Sequence, residues 1–118
     1  MLIYKLLPAA EWAEAESRGR YDGSAVDRRD GFVHLSGRDQ VVETAARHFA
    51  DQRDLTLLAV AAERLGPALR WEMSRGGARF PHLYGPLPVD AVVAVSPLPA
   101  DRPVPEAVAA LLDADPPA

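Results

Sequence analysis

The sequence feature that most limits the fold is an apolar run, "DLTLLAVAA", at residues 54–62. Its aliphatic and β-branched content is typical of a strand, and its near-continuous hydrophobicity indicates that both faces of the strand are buried. A strand of this kind has to lie inside a sheet, with other layers covering both of its faces. We therefore predict a central strand at this position.

Before this run, the sequence predicts two strands, two helices and one long loop. Residues 2–8, "LIYKLLP", indicate an opening strand, and residues 8–19 indicate a helix that ends at a glycine. Residues 20–31 are rich in Gly, Asp and Arg without periodicity, which predicts a loop of about a dozen residues. "FVHLS", residues 32–36, predicts a short strand. Residues 37–52 predict a helix because apolar side chains recur at three- and four-residue spacings.

After the run, the pattern changes to strands joined by turns. "LRWEMS" (69–74) and "RFPHLYG" (79–85) predict a hairpin that turns at Gly76-Gly77, a dipeptide that tolerates positive φ angles. A last strand is predicted around residues 91–95. Roughly six strands and two or three helices indicate an α+β fold with a mainly antiparallel sheet.

Length and composition indicate one domain, residues 1–118. We expect residues 2–98 to supply the core, and residues 99–118 to form a short C-terminal helix and a frayed tail. The net charge of −4 does not favour broad nucleic-acid binding, and no apolar run approaches the ~20 residues of a membrane helix. Because cysteine is absent and the N-terminus has no signal-peptide pattern, we expect a cytoplasmic protein.

Two of the three histidines occupy similar positions in predicted strands. His34 in "GFVHLSG" shares a strand face with Phe32 and Ser36, while the intervening apolar residues take the core face. His82 in "FPHLYG" shares its face with Tyr84. Two such strands could place both imidazoles in one cleft, and the competing interpretation is aromatic packing in the core.

Several residues near His34 in the sequence are candidates for binding an anion at this site. Gly37 and Arg38 are expected to open a helix whose free N–H groups can receive an anion. His48 lies opposite the apolar stripe of that helix, so we assign it to solvent. Arg28 and Arg29 could clamp a phosphate, although arginines flanked by aspartates are usually neutralised at the surface.

The role of Glu72 depends on the hairpin register. If Gly76 and Gly77 are the only loop residues, Trp71 lies across from His82 and Glu72 takes the opposite face. With a three-residue loop Glu72 lies across from His82, and its carboxylate could orient the imidazole or act as an acid or base. No metal is expected, because the histidines and Glu72 lack close ligand spacing.

The segments "DGFVHLS", "RWE" and "FPHLYG", in this order, resemble the small bacterial family called domain of unknown function 952. The resemblance covers residues 2–98. That family is similar in fold to the ADP-ribosyltransferases, whose split antiparallel sheets hold NAD in a cleft. The resemblance therefore implies an ADP-ribosylation-like split sheet and NAD as the cofactor.

The resemblance also implies roles for individual residues. His34 resembles the early-strand histidine that contacts the nicotinamide-side ribose, and Glu72 is the nearest carboxylate for stabilising positive charge on that ribose. An aromatic ring would stack on the nicotinamide, and a guanidinium would hold the pyrophosphate. The candidates for catalysis are His34, His82 and Glu72, and those for cofactor binding are Ser36, Tyr84, Trp71, Arg28 and Arg29.

Three classes of function remain open at this point. The first is an enzyme that handles NAD or another nucleotide, with ADP-ribosyl or 2′-phosphate transfer as its chemistry. The second is a module that binds a nucleotide or small molecule without chemistry, and the third is a structural or partner-binding domain. A shared site requires the two imidazoles to lie within ~10 Å of each other and at least one to reach an open cleft.

Overall fold

A three-stranded antiparallel sheet forms the centre of the fold in a computed structural model, which describes residues 1–114. The strands are β1 (Leu2–Pro8), β4 (Leu55–Ala61) and β8 (Val92–Pro97), in the order β1-β4-β8. β4 pairs with both neighbours and is buried at all but its last residue. The predicted central strand is therefore confirmed.

Two smaller antiparallel sheets flank the central one. In the first, the order is β3-β6-β5, formed by β3 (Val33–His34), β6 (Arg79–Leu83) and β5 (Leu69–Met73). In the second, β2 (Arg20–Tyr21) pairs with β7 (Leu87–Pro88). The β3 segment is also attached to the edge of the central sheet, because the backbones of Tyr4 and Ser36 exchange two hydrogen bonds.

Four α-helices cover the sheets in the described part of the chain, against the two or three expected. They are α1 (Ala9–Arg18), α2 (Ala25–Asp30), α3 (Val41–His48) and α4 (Val104–Ala114). None of these helices has the length and apolarity needed to cross a bilayer. The fold is thus α+β with antiparallel sheets, as predicted at the level of class.

The two faces of the central sheet bury separate sets of side chains. One face packs against α1 and the smaller sheets, with Trp12 as the largest contribution from the helix. The other face packs against α3 and α4, where Val108 and Leu112 are buried. The core therefore extends beyond the expected limit at residue 98, because α4 covers a sheet face that would otherwise be exposed. The last four residues of the predicted tail, 115–118, lie outside the described residues.

Two predictions about loops and helix boundaries are wrong. Residues 20–31 are not one loop, because they contain β2 and α2, and α2 begins with a capping box between Ser24 and Asp27. The helix after β3 begins at Val41 and not at Gly37. The backbone N–H of Gly37 donates to the side chain of Gln40 at 2.8 Å, so it is not free to receive an anion.

The hairpin between β5 and β6 has a register that neither alternative described. Met73 pairs with Arg79, so five residues lie between the strands, and Arg70 is the residue across from His82. Glu72 lies two pairs further along, across from Phe80, and it shares a face with His82 because side chains two positions apart share a face. Trp71 takes the opposite face.

Candidate functional site

The site is built around Asp27, a carboxylate that is 2% exposed. Its Oδ2 accepts hydrogen bonds from Lys5 Nζ at 3.0 Å and from the backbone N–H of Ser24 at 2.9 Å. Its Oδ1 accepts from the backbone N–H of His34 at 3.1 Å and lies 2.6 Å from His34 Nδ1. One buried carboxylate therefore fixes β1, the start of α2 and the first histidine relative to one another.

The local sequence explains why Asp27 reaches this position. Ser24 and Asp27 form the capping box of α2, in which the Ser24 hydroxyl accepts from the Asp27 N–H and the Asp27 carboxylate accepts from the Ser24 N–H. Gly23, with φ of +104°, lets the chain pass close by, since a Cβ there would lie 2.8 Å from that of Asp27. Gly31 ends the helix at φ of +87° and directs the chain into β3.

Lys5 is the buried counter-charge of Asp27. It shares the inward face of β1 with the apolar Ile3 and Leu7 and is 7% exposed. Its ammonium also donates to the backbone carbonyl of His34 at 2.9 Å. Burial lowers the pKa of Lys5, and the charge of Asp27 opposes that shift.

The surroundings of Asp27 keep its carboxylate ionised. Burial alone would raise the pKa of Asp27. The hydrogen bond from His34, the charge of Lys5 and the backbone N–H groups of Ser24 and His34 outweigh burial and hold that pKa well below its usual range.

His34 has a carboxylate at each ring nitrogen. Nδ1 faces Asp27, and Nε2 lies 3.0 Å from Oδ2 of Asp30, the last residue of α2. Both contacts are hydrogen bonds only when both ring nitrogens carry protons, since a neutral imidazole donates from one nitrogen. The other oxygen of Asp30 accepts from Arg29 Nε at 3.0 Å, and the Arg29 hydrogen bond holds the pKa of Asp30 below its ordinary value.

His82 forms a second histidine–carboxylate pair. Its Nδ1 lies 2.9 Å from Glu72 Oε1, and the same oxygen accepts from the Tyr84 hydroxyl at 2.7 Å. The hydrogen bonds from Tyr84 and His82 lower the pKa of Glu72, and the bond to Glu72 raises the pKa of Tyr84. Because an ionised carboxylate only accepts, His82 donates from Nδ1, and no group among the described residues bonds its Nε2.

The two histidines are neighbours across the β3–β6 pairing. His34 pairs directly with His82, and their ring centroids are 5.8 Å apart. The ring of Phe32 stacks on His82 at a centroid distance of 4.0 Å and contacts His34 at 4.5 Å. His34 is about one-third exposed whereas His82 is buried, so the imidazoles differ in access to solvent.

Both imidazoles line one cleft of about 630 Å³. Its polar lining includes the Lys5–Asp27 pair, Arg29 with Asp30, and Ser36, whose hydroxyl is 3.0 Å from that of Thr44. His48 is exposed, as predicted, and also borders this cleft. Within residues 1–114, no group of three or more His, Asp or Glu side chains has an arrangement that could hold a metal ion.

The structure brings some of the predicted site residues together and leaves others apart. His34, His82, Ser36 and Arg29 line the cleft, and Glu72 reaches it through its bond to His82. The predicted residues that do not line it are Arg28, Trp71 and Tyr84. Trp71 does not reach the cleft, because the hairpin register places it on the face of β5 opposite to His82.

Three residues of the site were missed by sequence reasoning, namely Lys5, Asp27 and Asp30. A signal existed for two of them. A lysine in the middle of an otherwise apolar strand requires a buried partner, and the spacing Ser24-x-x-Asp27 is that of a capping box. Asp30 had no such signal, because its contact depends on the path of the chain through Gly31.

The fold and the site define a small α+β protein with two histidine–carboxylate pairs in one cleft. Its sequence matches the family model described as "Protein of unknown function (DUF952)" over residues 6–95, and the chain belongs to that family. No curated protein matches the sequence significantly.

The chain is also similar to solved structures of protein CC0527 from Caulobacter crescentus. A crystal structure is 53% identical with a TM-score of 0.85, over 92% of this chain and 99% of that one. A crystal structure of its double mutant is 51% identical with the same TM-score and coverage. The solution NMR structure is 56% identical with a TM-score of 0.75, over 87% of this chain and 90% of that one.

Replacing Asp27 with Asn tests the buried carboxylate. We expect Asp27→Asn to lower the free energy of unfolding by about 3–5 kcal/mol at pH 7, because the buried Lys5 ammonium loses its counter-charge. Urea unfolding measures this loss. The control, Asp22→Asn, removes an exposed carboxylate that pairs with Arg18 and Arg20, and it should cost at most about 1 kcal/mol.

The role assigned to Asp27 also predicts how the free energy of unfolding depends on pH. The pKa of Asp27 is lower in the folded than in the unfolded chain, so its stabilisation is complete above about pH 4 and is lost as the pH falls further. The stability difference between wild type and Asp27→Asn should therefore shrink below pH 4. A difference that is absent at pH 7, or unchanged at pH 3, contradicts the assigned role.

Replacing Glu72 with Gln tests the orientation of the second histidine. In the wild type the neutral His82 ring should carry its proton on Nδ1, because ionised Glu72 accepts there. Glu72→Gln removes that preference, so the ring ¹⁵N chemical shifts should move toward a mixture of tautomers. Glu14→Gln, a surface control, should leave them unchanged. An Nε2–H tautomer in the wild type would contradict the assignment.

Proposed function

We propose that the protein binds NAD or a related nucleotide in the two-histidine cleft and catalyses ADP-ribosyl or 2′-phosphate transfer there. The observation that carries the proposal is the pair of imidazoles, 5.8 Å apart, each held by a carboxylate at Nδ1 and both lining one cleft. Two oriented imidazoles can bind hydroxyl and phosphate oxygens and can exchange protons near neutral pH.

The size of the cleft and the hydrogen-bond donors that line it support a nucleotide as ligand. Its volume of about 630 Å³ lies in the range of small-molecule sites. The charged side chains that line the cleft are Lys5 and Arg29 against Glu11, Asp27 and Asp30. Net charge therefore does not select the ligand, and anion binding in this proposal depends on the local donors, Arg29 and the two imidazoles.

The architecture supports the relation to ADP-ribosyltransferases that the sequence implies. A central antiparallel sheet and a smaller one meet where the backbones of Tyr4 and Ser36 exchange hydrogen bonds, which is a divided sheet with a cleft beside the junction. His34 lies two residues before Ser36 at this junction. The resemblance assigns it to the ribose next to the nicotinamide.

The proposed chemistry gives each histidine a separate task. ADP-ribosyl transfer breaks the bond between the nicotinamide nitrogen and ribose C1′ and forms a bond from C1′ to an acceptor oxygen. The bonding pair leaves with the nicotinamide, so the ribose becomes positively charged in the transition state and must be held rigidly. In this proposal His34 holds a ribose or phosphate oxygen, and the open Nε2 of His82 accepts the proton of an acceptor hydroxyl.

Glu72 takes a different role from the one first assigned. Its Oε1 already accepts hydrogen bonds from His82 and Tyr84, so we propose it as a positioning residue for His82 and not as the group that stabilises the ribose charge. Arg29, which lines the cleft, remains the candidate for the phosphates, and Ser36 remains a candidate ligand contact.

Binding without chemistry is the second candidate function. It is favoured by the contact between Asp30 and His34 Nε2, which engages both nitrogens of the more accessible imidazole within the protein. A protein of this kind would bind the same nucleotides in the same cleft and leave them intact.

A histidine NMR titration tests the proposed site. We expect NAD, ADP-ribose or adenosine 2′-monophosphate at millimolar concentration to move the ring signals of His34 and His82. Release of nicotinamide from NAD in the presence of an acceptor separates transfer from binding. His82→Gln should lower that release by about 100-fold or more, because an acid–base group is lost.

The matched control is Trp71→Phe, which changes an aromatic residue of the adjacent strand on the face away from His82. It should leave both the histidine shifts and nicotinamide release unchanged. If none of the three nucleotides moves either histidine signal, the proposed function is wrong. Nucleotide binding without any release of nicotinamide supports the second candidate.

A further inference from the structure

Asp30 contacts Nε2 of His34, the ring nitrogen through which His34 would bind a ligand. Its Oδ2 lies 3.0 Å from His34 Nε2, and its Oδ1 accepts from Arg29 Nε at 3.0 Å. A single carboxylate thus bridges an imidazole and a guanidinium inside the cleft. These donors also bind phosphate oxygens, and a guanidinium fits two of them at once.

We propose that Asp30 is a displaceable internal ligand and that the phosphate monoester of a nucleotide binds where its carboxylate now lies. The phosphate would accept hydrogen bonds from His34 Nε2 and Arg29, and Asp30 would turn toward solvent. This inference rests on the proposed function, because it names the ligand group that the His34 side of the cleft recognises.

The two carboxylates that hold His34 differ in how firmly they are held. The Asp27 side chain is 2% exposed and accepts from Lys5 and from backbone N–H groups, whereas the Asp30 side chain is 32% exposed and ends a six-residue helix. The capping box of α2 involves Ser24 and Asp27 only. Displacing Asp30 therefore leaves both the helix start and the Nδ1 contact of His34 in place.

The exchange favours phosphorylated ligands. A phosphate monoester carries up to two negative charges and three acceptor oxygens, so it satisfies the same donors and adds charge. An unphosphorylated nucleoside cannot replace the negative charge that His34 and Arg29 lose when Asp30 leaves. Asp30 should thus compete with phosphorylated ligands for these two donors, whereas a neutral ligand leaves the carboxylate in place, so the exchange is selective for the phosphate group.

Calorimetric titration of the full chain with adenosine 2′-monophosphate tests this exchange. Asp30→Asn and Asp30→Ala should bind the nucleotide roughly tenfold more tightly than the wild type, because the competing charged acceptor is gone. Adenosine should show no such gain. Asp22→Asn is the matched control, since it removes one negative charge from a residue of similar exposure that does not line the cleft, and its affinity should stay within about twofold of wild type.

The outcomes separate this inference from the proposed function. If the wild type and both Asp30 variants bind the nucleotide equally well and His34 and His82 still shift, Asp30 is not an internal ligand, although the cleft binds nucleotides. An equal gain in nucleotide affinity for Asp22→Asn also overturns the inference, because the gain would then come from the change in net charge. If no variant binds adenosine 2′-monophosphate or inorganic phosphate while NAD or ADP-ribose still moves the histidine signals, the inference fails alone; if none of these ligands binds, the proposed function fails with it.

Discussion

The ion pair between Lys5 and Asp27 is the interaction on which the rest of the site depends. A lysine on the inward face of a buried strand is costly to desolvate, and the cost is offset only by a close partner with further hydrogen bonds. Asp27 provides that partner at 3.0 Å, and its remaining acceptor capacity is used by backbone N–H groups and by the His34 ring. The position of the first histidine is therefore determined by the same contact that makes the burial of Lys5 tolerable.

The second histidine, His82, is held by different contacts but is likewise oriented at Nδ1. Glu72 orients His82 from the neighbouring strand β5, the Tyr84 hydroxyl donates to the same Glu72 oxygen, and Phe32 stacks on the His82 ring. Both imidazoles are thus held at Nδ1 by a carboxylate, His34 by Asp27 and His82 by Glu72. Such fixed orientation is what acid–base and phosphate-binding histidines require. The buried His82 and the more accessible His34 are suited to different tasks at one ligand.

Sequence reasoning predicted the parts of this structure that depend on hydrophobic pattern. The central strand, the opening strand and α1 follow from apolar runs and helix-ending residues, and the shared face of His34 and Ser36 follows from strand periodicity. The pairing of the two histidines was anticipated as a hypothesis from their similar surroundings, and their distance of 5.8 Å satisfies its geometric condition.

The parts that were not predicted depend on polar contacts between distant segments. The sequence predicts a loop where α2 lies, because the capping box and the Lys5–Asp27 pair that stabilise α2 contribute to no apolar periodicity. The hairpin register could not be deduced from Gly76-Gly77, because a five-residue connection shifts every cross-strand partner while using the same glycines. The Asp30-Gly31 dipeptide indicates a turn, but it does not specify that this turn brings the Asp30 carboxylate to the His34 ring.

A crystal structure of the protein with adenosine 2′-monophosphate tests the central claim most directly. We propose that Lys5 and Asp27 hold His34 opposite His82 so that one nucleotide can contact both rings. We expect the phosphate within hydrogen-bonding distance of His34 Nε2, a ligand oxygen near His82 Nε2, and the Lys5–Asp27 contact unchanged. A nucleotide bound elsewhere on the surface, or imidazoles that separate while the nucleotide contacts neither, would contradict the claim.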